Sequence, residues 1–289
     1  MLFLLFHASA NLCILLHDDG AAYSAFCHFM NDNIAVKVME VALLGTLALH
    51  IALTIYLYFT NKTCRPVGYH VPSKTKTAKG SKLMVLTGIL IFAFLGLHFY
   101  NFYLVKIGWV EGRYLVDGKA LTEKVEDYIQ IKDYIESMGG EMEDFLEEIA
   151  LYDDDSTIAT VNEFNRDKKL SEIIDDAKEK GHILEEENLI RINKEEKALI
   201  AEAVPEAKIE PDFYTMARQL FGHGIASLLY LAFFAILWLH LRHAFESAFQ
   251  TLGLNNYKYG KAIEIVGLAF ATVVCVAFAA VPIGVMLGL

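Results

Sequence analysis

The chain has 289 residues, 55% of them hydrophobic, and a formal net charge of −11. That apolar share is too high for an ordinary soluble domain and fits a membrane protein carrying a polar insert. The acidic balance argues against a nucleic-acid partner, and Cys13, Cys27, Cys64 and Cys275 form no Cys-x-x-Cys motif, which speaks against a zinc ribbon or a covalently attached c-type haem.

Met1–Leu16 is almost wholly apolar, with His7 and Asn11 as its polar points. It is shorter than the roughly 20 residues a span needs, and it reads as the outer part of helix I. It has no basic n-region and no small-residue cleavage pattern, so no signal peptide is expected. His17–Asn33 reads as a polar loop with Asp18, Asp19, His28 and Asp32 and no Lys or Arg. Ile34–Phe59 is predicted as helix II, with Glu40 early and His50 late. Asn61–Lys82 carries Lys62, Arg65, Lys74, Lys76, Lys79 and Lys82 and no acidic residue. Leu83–Ile107 is predicted as helix III, with His98 in its second half; Phe221–Phe249 as helix IV, with His240; and Ile263–Leu289 as helix V.

Between helices III and IV lies Gly108–Asp212, where most of the acidic residues fall. Short helices are predicted at Leu121–Met138, stopped by Gly139-Gly140, at Glu141–Leu151, at Leu170–Lys180, stopped by Gly181, and at Lys194–Ala203 before Pro205. Asp153-Asp154-Asp155 lacks the glycine and the distal glutamate of a calcium loop. The segment reads as a small acidic helical cap with a solvated surface.

Charge sets the orientation. The II–III connection is the most basic in the chain, and the positive-inside rule puts it in the cytoplasm. Arg242, Lys258 and Lys261 then also fall inside, and the insert falls outside. With a rise of about 1.5 Å per residue, His50 and His240 lie toward the inner face, and His7 and His98 toward the outer one.

An ionisable group in hydrocarbon usually has a partner and a task. One such histidine could simply bond a helix carbonyl or line a polar cavity. Four, one per helix and pairing by depth, suit two low-spin haem b groups, each held by two neutral imidazoles from facing helices. Proton relay or metal transport would instead favour carboxylates at the midplane, and this chain has almost none there. His243 sits three residues from His240 on a neighbouring part of the helix face, so only one of them can ligate a given haem. His240 is deeper in the apolar run and is the expected ligand. His243, beside Arg242 at the boundary, is expected to meet a haem propionate or a partner subunit, with Arg242 also a cofactor-binding candidate and His243 the alternative ligand. Glu40 is a candidate proton acceptor for a quinol on the outer side; the competing reading is an interfacial glutamate that pairs with Lys37. Tyr100, Asn101 and Tyr103 could bond a quinone carbonyl or belong to the aromatic belt, and His17, His28 and His223 read as interfacial residues.

Several stretches resemble the cytochrome b subunit of the succinate dehydrogenase and fumarate reductase family, in its five-helix dihaem branch. They are His7-Ala-Ser-Ala-Asn11, the helix running from Glu40 to His50, Leu97-His98-Phe99-Tyr100, and above all His240-Leu-Arg-His243-Ala-Phe-Glu-Ser-Ala-Phe-Gln-Thr-Leu-Gly-Leu-Asn255. The resemblance covers all five helices but not the insert, which such subunits usually replace by a short loop. It implies a membrane anchor bound to an iron–sulfur subunit and a flavoprotein on the cytoplasmic side. Electrons would pass between succinate or fumarate and a quinone, commonly menaquinone, whose site lies toward the outer haem. It also implies that helices I and III hold the outer haem, and helices II and IV the inner one.

The expected architecture is therefore an all-α, multi-pass protein of the bacterial cytoplasmic membrane. Helices I–III occupy residues 1–107, the acidic extracytoplasmic insert 108–212 and helices IV–V 213–289. Two alternatives remain: the cytochrome b subunit of another quinone-linked enzyme, such as a nitrate reductase or a hydrogenase, and a non-redox transporter.

Overall fold

A computed structural model describes residues 2–64, 79–151, 155–184, 189–254 and 259–289. The chain is mostly helical, and among the described residues four helices are long and apolar enough to cross a membrane: Ile34–Thr63, Leu83–Lys106, Gly224–Thr251 and Gly260–Met286. It is a multi-pass membrane protein by that measure. The first apolar segment is shorter, Leu2–Leu15. The charges Arg65, Lys74, Lys76 and Lys258, and Asp153-Asp154 in the insert, lie outside the described residues.

The chain divides into two compact units. The first comprises Met1–Cys13, Ala25–Phe94 and Gly224–Leu287. Helix α1 (Leu2–Leu12) runs into a short 3-10 turn. Helix α2 (Ala21–Asp32) occupies what reads from sequence as a polar loop. Its Ala-Ala-Tyr-Ser-Ala-Phe run has helix-forming alanines, and Asp18 starts it by accepting from the Gly20 and Ala22 amides, both at 3.0 Å. Asn33 caps α3 (Ile34–Thr63) by accepting from the Ala35 amide at 2.9 Å. None of the 30 residues of α3 is buried. Its apolar surface must be covered by lipid or by groups other than this chain's own helices.

Helix α4 (Lys79–His98) continues through a π-helical turn, Phe99–Tyr103, into α5 (Leu104–Lys106). In the first unit its Phe94 ring stacks on Phe233 at 4.9 Å and meets Tyr230 edge-on at 5.2 Å. Both partners belong to α11 (Gly224–Thr251), which packs along α12 (Gly260–Met286). Gly267 allows that approach: a Cβ there would lie 2.8 Å from the Phe245 ring. One polar clasp, Trp238 Nε1 donating to Thr272 Oγ1 at 3.0 Å, satisfies the indole between the same two helices.

The second unit comprises Ile14–Ser24, Leu95–His223 and Gly288–Leu289. The insert is not purely helical. Four short strands, β1 (Tyr114–Asp117), β2 (Ile183–Leu184), β3 (Leu189–Ile192) and β4 (Ile209–Pro211), form an antiparallel sheet in the order β2-β3-β1-β4. In register, Tyr114 faces Ile192 on one side and Pro211 on the other. Helices α6 (Gly118–Ser137), α7 (Met142–Ala150), α8 (Asp155–Glu179) and α9 (Lys194–Ala203) surround it. Val116, Leu121, Val125, Leu170, Ile190 and Ile200 form one apolar core between sheet and helices. The predicted stops are present: Gly139 and Gly181 both take positive φ after their helices. Asn193 and Glu196 form a full capping box at α9. Helix α8 is longer than its predicted piece, because the sequence before Leu170 continues it without a break. Helix α10 (Phe213–Gly222) is separate from α11; the extended backbone at His223 ends it.

Asp167 is the weak point of that core. It is 7% exposed, and one of its carboxylate oxygens has no hydrogen-bond partner. Burial pushes its carboxyl above the ordinary range, against the opposing pull of Lys124. A carboxyl whose pKa rises on folding favours the fold while it is protonated. Stability therefore falls as pH climbs from the unfolded value, about 4, through the folded one. Asp167→Asn should stabilise the insert at pH 7 by about 1 kcal/mol, on the scale of one unsatisfied buried group. The gain should vanish below pH 4. Temperature-dependent proteolysis of the full chain at both pH values measures it, and an unchanged midpoint at pH 7 would contradict the account.

Candidate functional site

The polar groups inside the first unit converge on α11. His240 lies in the second half of that helix, beside α4. The Thr87 hydroxyl of α4 is 3.1 Å from His240 Nδ1, and Thr87 is only 6% exposed. A Cβ added to Gly88, the next residue, would lie in ordinary contact, 3.8 Å from His240 Cε1, so the imidazole edge rests against α4 there. His50 of α3 and His243 both lie within electrostatic reach of His240. Thus α4 sets a hydroxyl against the His240 imidazole of α11, and a second imidazole, exposed on α3, lies within electrostatic reach of it. Two neutral imidazoles are the donor set that a six-coordinate haem iron takes from protein, so these residues fit such a group.

Two residues on from His240, Arg242 is exposed, and its guanidinium lies 5.7 Å from the Trp238 ring centroid. Its charged end is therefore held beside the Trp238–Thr272 clasp.

His7 belongs to the same unit. Its ring stacks on Phe3 at 5.4 Å and tilts against Phe278 of α12, also at 5.4 Å. His98 belongs to the second unit. It is the last residue before the π turn, and its ring meets Phe102 at 5.2 Å. A π turn adds one residue to a helical turn and re-aims the side chains that follow; such turns are frequent at functional sites. Tyr100 on it is exposed, while Asn101 and Phe102 line an open cleft of about 520 Å³ shared with Glu111, Arg113, Gln219 and His223.

Glu40 is half-buried on α3, one turn after Lys37. Of the interfacial histidines, His17 is exposed, His28 faces Asp32 at 3.5 Å, and His223 caps the C-terminus of α10. Among the described residues no group of three or more His, Cys, Asp or Glu side chains could hold a bare metal ion. A bis-histidine haem needs no such cluster, because the porphyrin supplies the other four ligands.

Sequence reasoning missed Thr87, Trp238 and Thr272. Thr87 and Thr272 had a signal: each is a hydroxyl within a long apolar run. The chain matches no protein-family model, no curated protein and no solved structure.

Proposed function

We propose that this chain is the dihaem cytochrome b membrane anchor of a succinate:quinone oxidoreductase. In this reading it passes electrons between an iron–sulfur subunit and a quinone such as menaquinone. The observation that carries the reading is that His240, held at Nδ1 by Thr87, lies within electrostatic reach of His50 on a separate apolar helix. His50 and His240 would hold one haem b, and His7 and His98 the other. Bound haem supplies a one-electron carrier inside the membrane. The chain's own contribution is to fix the imidazoles, exclude water with apolar helices, and manage protons at the outer face. Arg242 and His243 suit the carboxylates of a haem edge, since a guanidinium pairs with them in a fork. The iron–sulfur and flavoprotein partners would dock on the cytoplasmic side of a bacterial inner membrane, with the insert outside.

A reduced-minus-oxidised spectrum of the purified chain, with haem extracted and counted, tests this directly. About two b-type haems per chain are expected from two bis-histidine pairs. A chain purified from its native membrane without haem would sink the reading in favour of a transporter. Co-purification of a molybdenum or nickel–iron subunit in place of a flavoprotein would move it to another quinone-linked enzyme.

Quinol oxidation releases protons along with electrons, so an acceptor is needed near the outer face. We assign that role to Glu40. Glu40→Gln keeps the shape and removes the titration. Both haems should remain, and quinone-linked turnover should fall about a hundredfold, the scale of losing a positioned acid–base group. Full turnover with full haem content would assign Glu40 to structure.

A further inference from the structure

Thr87 carries one hydroxyl hydrogen and two lone pairs. Its oxygen lies 3.1 Å from the Leu83 carbonyl, 3.1 Å from the Met84 carbonyl and 3.1 Å from His240 Nδ1. Carbonyl oxygens can only accept, so the single hydrogen goes to one of them, the usual back-bonding of a helical threonine. With the hydrogen there, the same oxygen turns a lone pair toward His240 and accepts. The proton of neutral His240 then sits on Nδ1, and Nε2 carries the free lone pair. The opposite arrangement, with Thr87 donating to Nδ1, would put the proton on Nε2 and give up the hydroxyl's own bond to either carbonyl.

We propose that Thr87 is a positioning residue for the inner haem site: it fixes the tautomer and ring plane of His240 so that Nε2 is the ligating nitrogen, and it sets how strongly that nitrogen donates. The inference rests on the dihaem reading above. An acceptor on the far nitrogen makes a ligating imidazole more basic, and such outer partners typically change metal affinity by 10–100-fold. A more basic ligand favours the ferric state, so the Thr87 contact lowers the potential of the haem that His240 holds. Gly88 completes the arrangement, because a bulky side chain there would push on the imidazole edge at Cε1.

The test compares Thr87→Val, which keeps the shape without the hydroxyl, with Thr87→Ser, which keeps the hydroxyl. Each is purified with whatever partners the native chain carries. In the valine variant one haem of the two should leave to a scavenger globin about tenfold faster or more. Its oxidised-to-reduced ratio at fixed potential should fall by up to about tenfold, an upward move of about 59 mV for one electron. The other haem should be unmoved, and serine should restore native values. A merely structural threonine would affect assembly or melting and leave the potential in place. Where valine fails to insert, Thr87→Ala provides the same comparison. Unchanged potential and haem release in the hydroxyl-free variants of a two-haem protein would overturn this inference alone. Native chain without any haem would overturn the dihaem reading, and this inference with it.

Discussion

Alanine at His240 or at His50 should leave the purified chain with about one haem instead of about two, since each haem b needs both of its axial imidazoles to stay low-spin and tightly held. Both substitutions should remove the same haem, because the two side chains sit within electrostatic reach of each other. Alanine at His7 or His98 should remove the other one. His243→Ala should keep both, since it is His240 that Thr87 holds. Haem extraction and redox titration distinguish the cases. If His243→Ala loses a haem while His240→Ala does not, the ligand on α11 is His243. If His50→Ala and His240→Ala lose different haems, the pairing is wrong.

The other large effect lies in the second unit. Asp212 is 1% exposed and carries several tasks at once. One carboxylate oxygen accepts from Arg191 Nε at 3.1 Å. The other caps α10 by accepting from the Thr215 amide at 3.0 Å. Arg191 also donates to the Asp19 carbonyl of the Ile14–Ser24 segment. Beside that carbonyl, Gly20, at φ +87°, lies so close to Tyr214 that a Cβ would be 2.3 Å from the ring. Removing the carboxylate strands a guanidinium in a site only 16% exposed. Breaking one side of a buried pair costs about 3–5 kcal/mol, and loss of the cap adds about 1 kcal/mol. Asp212→Ala should therefore make the insert sensitive to protease at temperatures where the native chain resists. Pairing Asp212→Leu with Arg191→Met should recover much of that loss, because no charge is then left unpaired. Native resistance in Asp212→Ala would show that water or another group takes over the arginine.

The long helices were legible because a span of about 20 apolar residues has few other readings. Insert helices with a strong stop, such as the one before Gly139, were also placed closely. The sheet was not. Its strands are two to four residues long, below the length at which alternation stands out. Leu189–Ile192 does alternate, with Ile190 and Ile192 facing the core, but only the pairing with β1 gives that pattern meaning. Helix α2 escaped notice because its charged start, Asp18-Asp19-Gly20, looks like a turn, and Asp18 is in fact its cap. The four histidines were visible as polar points in apolar runs. The contact that distinguishes His240 from His243 was not, since it is made by a residue 153 positions away.

The pairing of β1 with β4 bears on how this chain could have acquired so long an excursion. The path leaves α5, enters the sheet at Tyr114, and returns on the adjacent strand through Ile209–Pro211, directly before α10. Val116 and Ile209 already face each other as the two sides of a hairpin. What lies between them hangs from a neck whose width that pairing fixes, with Arg191 and Lys194 reaching back to Asp212, the Asp19 carbonyl and Glu111. The entropy of closing a loop rises only slowly with its length, so residues added beyond the neck hardly disturb what lies before it. A tight turn joining Asp117 to Lys208 would satisfy the same neck. The stretch from Gly118 to Ala207 is in that sense length-neutral, free to grow or shrink wherever Arg191 keeps its place beside Asp212.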